Sequence, residues 1–456
     1  MEDARCSDVH VGLRALSARV KVLRNFSVFL GVWAAIFLPA AAQSSLDILK
    51  TVVVVSSDNP RLSGQLFHPK ICPNLLSVVA FVRQVHDNRQ LWLYDARTQK
   101  LVQVTPQKSE DDFGGEGGDV EGDASLKGYE DELDWCPVLH GGKQYFAFVS
   151  AGGVNNHDIY LGCVGSETYT RLTFDPEVDD APHWSPDGKG LVFVSARTGN
   201  GDLYFIPDAL SFFGKELKRE PRDAFERLTR SPGEEMFPAF SPDGRFLAFT
   251  MRTSGSPKRG LFTIALMDFK ENRRIMAFNN QVVNNKSQPS WSPDGHFLAY
   301  QISDDLDART VDIGVMQLKM DSLGHLVEVA DLQGSPLRIA ENIYPSSYGG
   351  PAWLAGSRAL IYPKRESSRF NPLEAVNLEK WLYGAGDERV SLNTVSSIHR
   401  DVDCLPNDPI VVYAGESGEN FQIFASIVAG EDVPLGGRSV NPDDYDLFRG
   451  VPDVSR

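Results

Sequence analysis

Cysteine is scarce in this chain of 456 residues: there are five, with no Cys-x-x-Cys pair and no Cys/His run at metal-ligand spacing. That excludes zinc-ribbon and thioredoxin-like chemistry. Histidine is scarce too. Its nine copies are scattered, so no clustered set of the kind a metal-dependent lyase needs is visible. Basic residues are outnumbered, with 45 Lys and Arg against 61 Asp and Glu and a formal net charge of −16. A surface of that sign repels phosphates, so nucleic acid is not an expected partner. A Gly-x-Ser-x-Gly nucleophile elbow is also missing, because Gly415-Glu-Ser-Gly418 reads as a strand-to-strand turn. Beyond residue 42 no apolar stretch is long enough to span a bilayer.

The apolar run that does exist lies at the N-terminus. Arg14, Arg19, Lys21 and Arg24 precede an apolar Phe26–Leu38, and Ala40-Ala41-Ala42 supplies small residues before Gln43. This is the pattern of a secretory signal peptide over 1–42, short of the ~20 residues a membrane anchor needs. Its removal takes the net charge to −18. It predicts a periplasmic or secreted protein with no integral membrane segment. In such a compartment Cys72, Cys136, Cys163 and Cys404 can pair in three ways, and sequence does not choose between them. A Cys72–Cys404 bridge would clamp a ring in which the first and last units are neighbours.

What the sequence has in quantity is a repeat. Pro182-His-Trp-Ser-Pro-Asp-Gly188, Pro238-Ala-Phe-Ser-Pro-Asp-Gly244 and Pro289-Ser-Trp-Ser-Pro-Asp-Gly295 align without gaps. Each leads into an apolar strand whose aromatic (Phe193, Phe249, Tyr300) lies 11 residues after the leading Pro. The same spacing joins Pro137 to Phe148 and Pro351 to Tyr362, and strands of like character surround Phe81 and Tyr413. Ser-Pro-Asp-Gly is turn chemistry: Pro presets φ, Asp bonds the local backbone and Gly accepts φ > 0. Third strands such as Leu203-Tyr-Phe205 and closing strands such as Arg171-Leu-Thr173 and Arg227-Leu-Thr229 complete each unit. Four short strands per 40–50 residues describe a propeller blade. The expectation is an all-β fold, a β-propeller of seven four-stranded blades, with six as the alternative if a terminal unit is a cap. The propeller spans 65–440 and carries an acidic insert at 107–134. The β-branched run Thr51–Val55 in the 43–64 segment supplies a ring-closing strand, and 441–456 is a C-terminal tail.

The three Pro-x-aromatic-Ser-Pro-Asp-Gly segments resemble the WD40-like Pro-Asp repeats of the TolB-type propellers. That resemblance implies a periplasmic scaffold that binds a protein or peptide in the cell envelope, not an enzyme, and here a monomer. The sequence departs from the family pattern in two respects. It counts seven units rather than six, and it has only about 25 residues where a small α/β domain would stand.

Reading three residues before each leading Pro places Asp134, Asp179, Glu235, Lys286 and Tyr348 at one channel mouth, with Glu132, Asp180 and Glu234 beside them. Extrapolation adds Phe67 and His399. Such acids can bind a basic partner segment or a cation. They can equally bond backbone N–H groups in the connectors. Asp187, Asp243 and Asp294 recur with the turn, and Trp184, Trp291 and Trp353 with the packing between blades. Gly114-Gly-Glu-Gly-Gly-Asp119 is half of a calcium nonapeptide, which makes Asp119 and Asp123 weak calcium candidates. The alternatives to a scaffold are a small-ligand or calcium-binding propeller and a propeller lyase. The lyase reading needs His68, His140 and His399 to converge.

Overall fold

The computed structural model describes residues 47–104, 130–151, 156–252, 261–277, 285–303, 310–320, 326–330, 337–343, 351–378, 389–429 and 440–455, apart from isolated positions. The signal segment, most of the acidic insert (including Asp119 and Asp123) and Tyr348 lie outside the described residues. Among the described residues no helix is long and apolar enough to cross a membrane.

Seven antiparallel sheets follow one another along the chain. Blade 1 consists of Gln65–Ile71, Val78–Val85, Asn88–Asp95 and Lys100–Gln103. Blade 2 consists of Glu130–Trp135, Tyr145–Ser150, Asp158–Cys163 and Thr170–Arg171. Blade 3 has Asp179–Trp184, Leu191–Ser195, Asp202–Ile206 and Glu226–Arg227. Blade 4 has Glu235–Phe240, Phe246–Arg252, Phe262–Asp268 and Ile275–Ala277. In blade 5, Asn285–Trp291 and Phe297–Ser303 precede Val311–Met320, whose outer edge is shared by Leu326–Ala330 and Leu337–Ile343. Blade 6 comprises Ala352–Trp353, Ala359–Pro363, Leu373–Asn377 and Arg389–Leu392. Blade 7 takes His399–Cys404, Ile410–Ser417 and Asn420–Ala429 from the end of the chain. Its fourth strand is Asp47–Val55, from the other end.

The turns behave as their residues dictate. In Ser185-Pro-Asp-Gly188 the Ser185 hydroxyl donates to Asp187 Oδ1 (2.6 Å) and accepts from Gly190 N (2.8 Å), while Gly188 sits at φ +69°. Ser241/Asp243 and Ser292/Asp294 repeat the arrangement, with Gly244 at +67° and Gly295 at +73°. These Asp residues are therefore turn-forming.

Apolar residues alternate across each blade onto both faces, and the buried ones fall into seven clusters. Each cluster joins two neighbouring blades; Phe81 and Trp92 of blade 1, for example, meet Val412 and Ile423 of blade 7. Seven junctions for seven blades mean a closed ring, since an open arc would have six. Tryptophans pin the junctions. Trp135, Trp184, Trp291 and Trp353 end their first strands and donate Nε1–H to backbone carbonyls of the preceding blade: Lys70, Asp134, Ala239 and Ser290, at 3.0–3.3 Å. The cysteines do not pin them. Cys72, Cys136, Cys163 and Cys404 are free thiols.

The C-terminal segment is docked. Val454 N donates to Thr51 O (2.9 Å), Thr51 N donates to Asp453 Oδ1 (3.2 Å), and Lys50 Nζ donates to Phe448 O (2.7 Å). Leu447 and Phe448 are buried in the blade 7–blade 1 cluster. The outer strand of blade 7 is thus covered, as an otherwise exposed strand edge must be in a protein that stays unaggregated.

Candidate functional site

In a propeller the first strand of each blade lines the central channel. Here these strands carry a repeated irregularity. His68, Glu132, Ala181, Phe237, Gln288 and Asp401 each have φ between +42° and +53°. Each sits at a break in pairing register with the second strand. A bulge of this kind re-aims side chains. It puts the bulge residue and those flanking it on the channel wall. The wall is lopsided. Blades 7, 1, 2 and 3 carry Arg400, Asp401, Asp403, His68, Lys70, Glu132, Asp134, Asp180 and His183 around their bulges, whereas blade 4 carries Met236, Phe237 and Ala239 and blade 5 carries Ser287, Gln288 and Ser290.

The charged arc is knitted together. His68 Nδ1 lies 3.1 Å from Asp131 Oδ1 and its Nε2 lies 3.7 Å from Asp401 Oδ2, so it links blades 7, 1 and 2. Arg89 adds a 2.7 Å ion pair to Asp131. Burial alone would lower the His68 pKa, but the hydrogen bond and charge of Asp131, with Asp401 behind, outweigh it and raise it. Below, Lys70 pairs with Asp403 (3.5 Å) and His183 with Asp134 (3.3 Å), while His157 reaches Asp180 at 2.7 Å.

Several of these acids bond the backbone of the next blade. Glu132 accepts from Ala181 N (2.6 Å), Asp134 from Trp184 N (2.8 Å), Asp401 from His68 N (3.4 Å) and Asp403 from Ile71 N (3.0 Å). These carboxylates act as struts between blades.

The positions singled out by the 11-residue spacing separate into two sets. Asp179, Glu235 and Lys286 occupy one equivalent position, at the start of their first strands, and all three are buried at 0–2% exposure. Asp179 meets Arg197 through two 3.1 Å contacts, and Arg197 also grips Glu220. Two carboxylates thus share one guanidinium. Burial raises the Asp179 pKa to about 6, against the pull of Arg197. Glu235 bonds Ser231 and is likewise raised by burial. The same frame repeats behind them. Arg171 holds Asp158 (2.5 Å) while Thr173 accepts from Ile159 N; Arg227 holds Asp202 (2.8 Å) while Thr229 accepts from Leu203 N. The Arg-Leu-Thr closing strands therefore cover the acids that open the next blade.

Asp134 belongs to another level. Trp135 pairs with Phe146 as Trp184 pairs with Leu191, which makes Glu130, not Asp134, the equivalent of Asp179, and Asp131 that of Asp180. The cause is the longer turn between Trp135 and Tyr145: Pro137 stands where Pro186 does, and the 11-residue spacing to Phe148 is a coincidence. Asp134 lies three residues further along its strand, about 10 Å away at ~3.3 Å per residue. In blade 1 the leading proline is Pro69, which the fixed spacing misses by one residue; Leu66, not Phe67, matches Asp179. His399 does occupy the Asp179 position, but it is buried between Thr394 (2.6 Å) and the Asn371 carbonyl (2.7 Å), and burial lowers its pKa to about 4. His140 sits in the long blade 2 turn, bridged to Lys143. His68, His140 and His399 have separate sets of partners. Among the described residues no group of three or more His, Cys, Asp or Glu is placed to hold a metal ion. Asp180, Glu234 and Asp134 remain part-exposed, with side-chain exposures of 30–40%.

This is a seven-bladed β-propeller with a channel strutted by carboxylates. No protein-family model matches the chain. A stretch of 108 residues, 24% of the chain, is 37% identical to a TolB homolog of Chlorobium luteolum and covers 20% of that protein. Another relative, an uncharacterised protein of Agrobacterium fabrum, is 30% identical over 149 residues, covering 31% of this chain and 46% of its own. The chain thus spans less than half the length of these curated relatives. Among solved structures, a Mycobacterium tuberculosis puromycin-hydrolyzing peptidase overlays with a TM-score of 0.53 at 14% identity, over 90% of this chain and 57% of that one. An oligogalacturonate lyase in complex with manganese gives 0.50 at 11% identity, over 86% and 97%. These two share the fold. Its Pro-x-aromatic-Ser-Pro-Asp-Gly repeats and this local identity make the chain similar to the TolB-type β-propellers.

Proposed function

We propose that the protein is an exported, non-catalytic scaffold that binds a protein or peptide partner in the cell envelope. The observation that carries this reading is how the channel's charged groups are used. Glu132, Asp134, Asp401 and Asp403 are engaged in backbone struts and His68 in ion pairs between blades. Groups so tied stiffen a ring, and a stiff ring displays its loops and mouths as recognition surfaces. On this reading Asp180 and Glu234, each in one part-exposed ion pair, offer carboxylates to a basic segment at the mouth where the first strands begin. Asp134 lies deeper, and Asp179, Glu235 and Lys286 support the wall from behind.

The test is affinity capture from an envelope extract with the full chain, with calcium and manganese measured in the same purified sample. A stoichiometric protein partner, lost with Asp180→Lys/Glu234→Lys, is the expected result. No partner together with one bound metal per chain would sink the scaffold reading and favour a ligand-binding or lyase propeller.

A further inference from the structure

The junctions on the two sides of blade 3 are built alike. Asp179 N, at the start of blade 3, donates to His157 O of blade 2 (2.9 Å). Glu235 N, at the start of blade 4, donates to Gly201 O of blade 3 (2.7 Å). The residue after each acceptor is another acid, Asp158 and Asp202. Each junction thus brings two carboxylates together, Asp158 with Asp179 and Asp202 with Glu235, all four at 0–3% exposure. At the register of Asp158 and Asp202, blades 1 and 4 carry Gln90 and Thr263, so the pairing stops at blade 3.

Positive charge falls short in both junctions. Between blades 2 and 3 the buried carboxylates of Asp158, Asp179 and Glu220 face two guanidinia, Arg171 and Arg197. Glu220 comes from the 207–225 connector of blade 3, and Asp175 adds negative charge near Arg197. Between blades 3 and 4, Asp202 and Glu235 face one guanidinium. Arg227 Nη2 and the Thr198 hydroxyl donate to Asp202 Oδ2, and Glu235 Oε1 bonds Ser231. Glu234 pairs with Arg252 (2.6 Å) at the rim, Lys286 at the start of blade 5 lies over the Tyr300 ring, and burial raises the Tyr204 phenol, which brings no charge. Asp202 Oδ1 and Glu235 Oε2 accept no hydrogen bond from the described residues. The Thr229 hydroxyl beside Glu235 has a single proton to give and already accepts from Leu203 N (2.8 Å).

A buried carboxylate without a positive partner is costly, and two that adjoin repel strongly at low dielectric. One proton removes both penalties. Burial raises Glu235 against its hydroxyl partners, with the charge of Asp202 adding to the rise. Burial likewise raises Asp158 to about 7 against Arg171, with Asp179 adding.

We infer that each junction of blade 3 is closed by a shared proton and opens as pH rises. Glu235 Oε2–H donates to Asp202 Oδ1, and Asp158 and Asp179 hold one proton between them. The unfolded chain sheds these protons at about pH 4, whereas the folded chain keeps them to higher pH. Stability therefore falls as pH climbs through the folded values. Beyond them each junction carries opposed charges, and blade 3 loosens in the ring whatever the ring binds. The bulges at Ala181 and Phe237 follow two residues after Asp179 and Glu235, so the channel wall of blades 3 and 4 loosens with it.

The experiment is amide hydrogen exchange on the full chain, read by mass spectrometry at about pH 5.5 and pH 8.5 and corrected for the intrinsic rate. Amides of Asp179–Trp184, Asp202–Ile206 and Glu235–Phe240 exchange about tenfold faster at the higher pH, since each unit of raised pKa is tenfold in the opening equilibrium. Those of Phe297–Ser303 in blade 5 do not change. Glu235→Gln alone removes the response from Glu235–Phe240 and leaves it in Asp179–Trp184. Asp158→Asn does the reverse, and each substitution keeps the shape of the side chain it replaces. A pH-independent rate in the three strands of the unaltered chain overturns the inference, as does a response that survives in Glu235→Gln/Asp158→Asn. A response to EDTA at fixed pH, in place of one to pH, puts a metal ion where the proton is inferred and also overturns it.

Discussion

Replacing Phe448 by alanine tests whether the C-terminal segment holds the ring shut. The ring of Phe448 is fully buried between blades 7 and 1, and its own carbonyl accepts from Lys50 on the N-terminal strand. Truncating a buried phenylalanine costs about 3–5 kcal/mol through lost transfer energy and the cavity left behind. Unfolding entropy is about 2.1 cal/mol/K per residue, so a ring of about 400 residues has a melting entropy near 0.85 kcal/mol/K. The expected fall in Tm is therefore about 4–6 °C, read by differential scanning fluorimetry. Asp446→Ala, which removes only the surface pair with Arg449 (3.2 Å), should shift Tm by less than about 1 °C. Deleting residues 440–455 should go further and uncover the outer edge of Asp47–Val55. Light scattering should then show self-association, because an open strand edge is a template for pairing. A Phe448→Ala protein that melts with the unaltered chain would refute the reasoning, since the buried ring would then contribute nothing to closure.

Asp179 has a folded pKa raised to about 6 by burial, so its contribution to stability is present at low pH and lost as pH rises through 6. Asp179→Asn mimics the protonated form and leaves Arg197 its Glu220 partner, so it should gain about 1 kcal/mol relative to the unaltered chain between pH 5 and pH 7.5; an unchanged difference in Tm across that window refutes this. A Cβ at Gly162 would strike the Phe146 ring, so Gly162→Ala should cost about 1–3 kcal/mol in thermal melts, whereas Gly165→Ala meets open space but carries φ +80° and should cost about 1 kcal/mol. Trp291→Phe keeps most of the packing but orphans the Ala239 carbonyl, and should destabilise by about 1–3 kcal/mol in the same assay.

The blades were legible wherever a turn had a fixed length. The Ser-Pro-Asp-Gly copies at 185–188, 241–244 and 292–295 set the register of blades 3, 4 and 5, and the tryptophans that follow their prolines are the junction pins. In blades 1 and 2 the turn length varies. A spacing measured from the proline then lands on Lys70 instead of Pro69, or on Pro137 instead of Leu133, and the inferred mouth shifts with it. The burial of Asp179 and Glu235 was hidden for a different reason. Sequence shows an acid near a strand start, but not that Arg197, or the Thr229–Ser231 corner, folds over it from a neighbouring strand. A signal was available in the pairing of Arg-Leu-Thr with an Asp opening the preceding strand, at Asp158 and again at Asp202. Glu220 had no repeat to announce it, because the 207–225 connector belongs to one blade alone.

The strand Asp47–Val55 is among the earliest parts of the propeller to be made, yet its partner Asn420–Ala429 is among the last. About 370 residues separate them, and at ~5–20 residues per second synthesis alone imposes a wait of some 20–75 s. During that time a five-residue β-branched run, Thr51–Val55, must stay unpaired beside blades that are already folding. Closure is then a single late event that joins both chain ends, and it acts as a checkpoint: a chain cut short anywhere before its last blade cannot complete the circle.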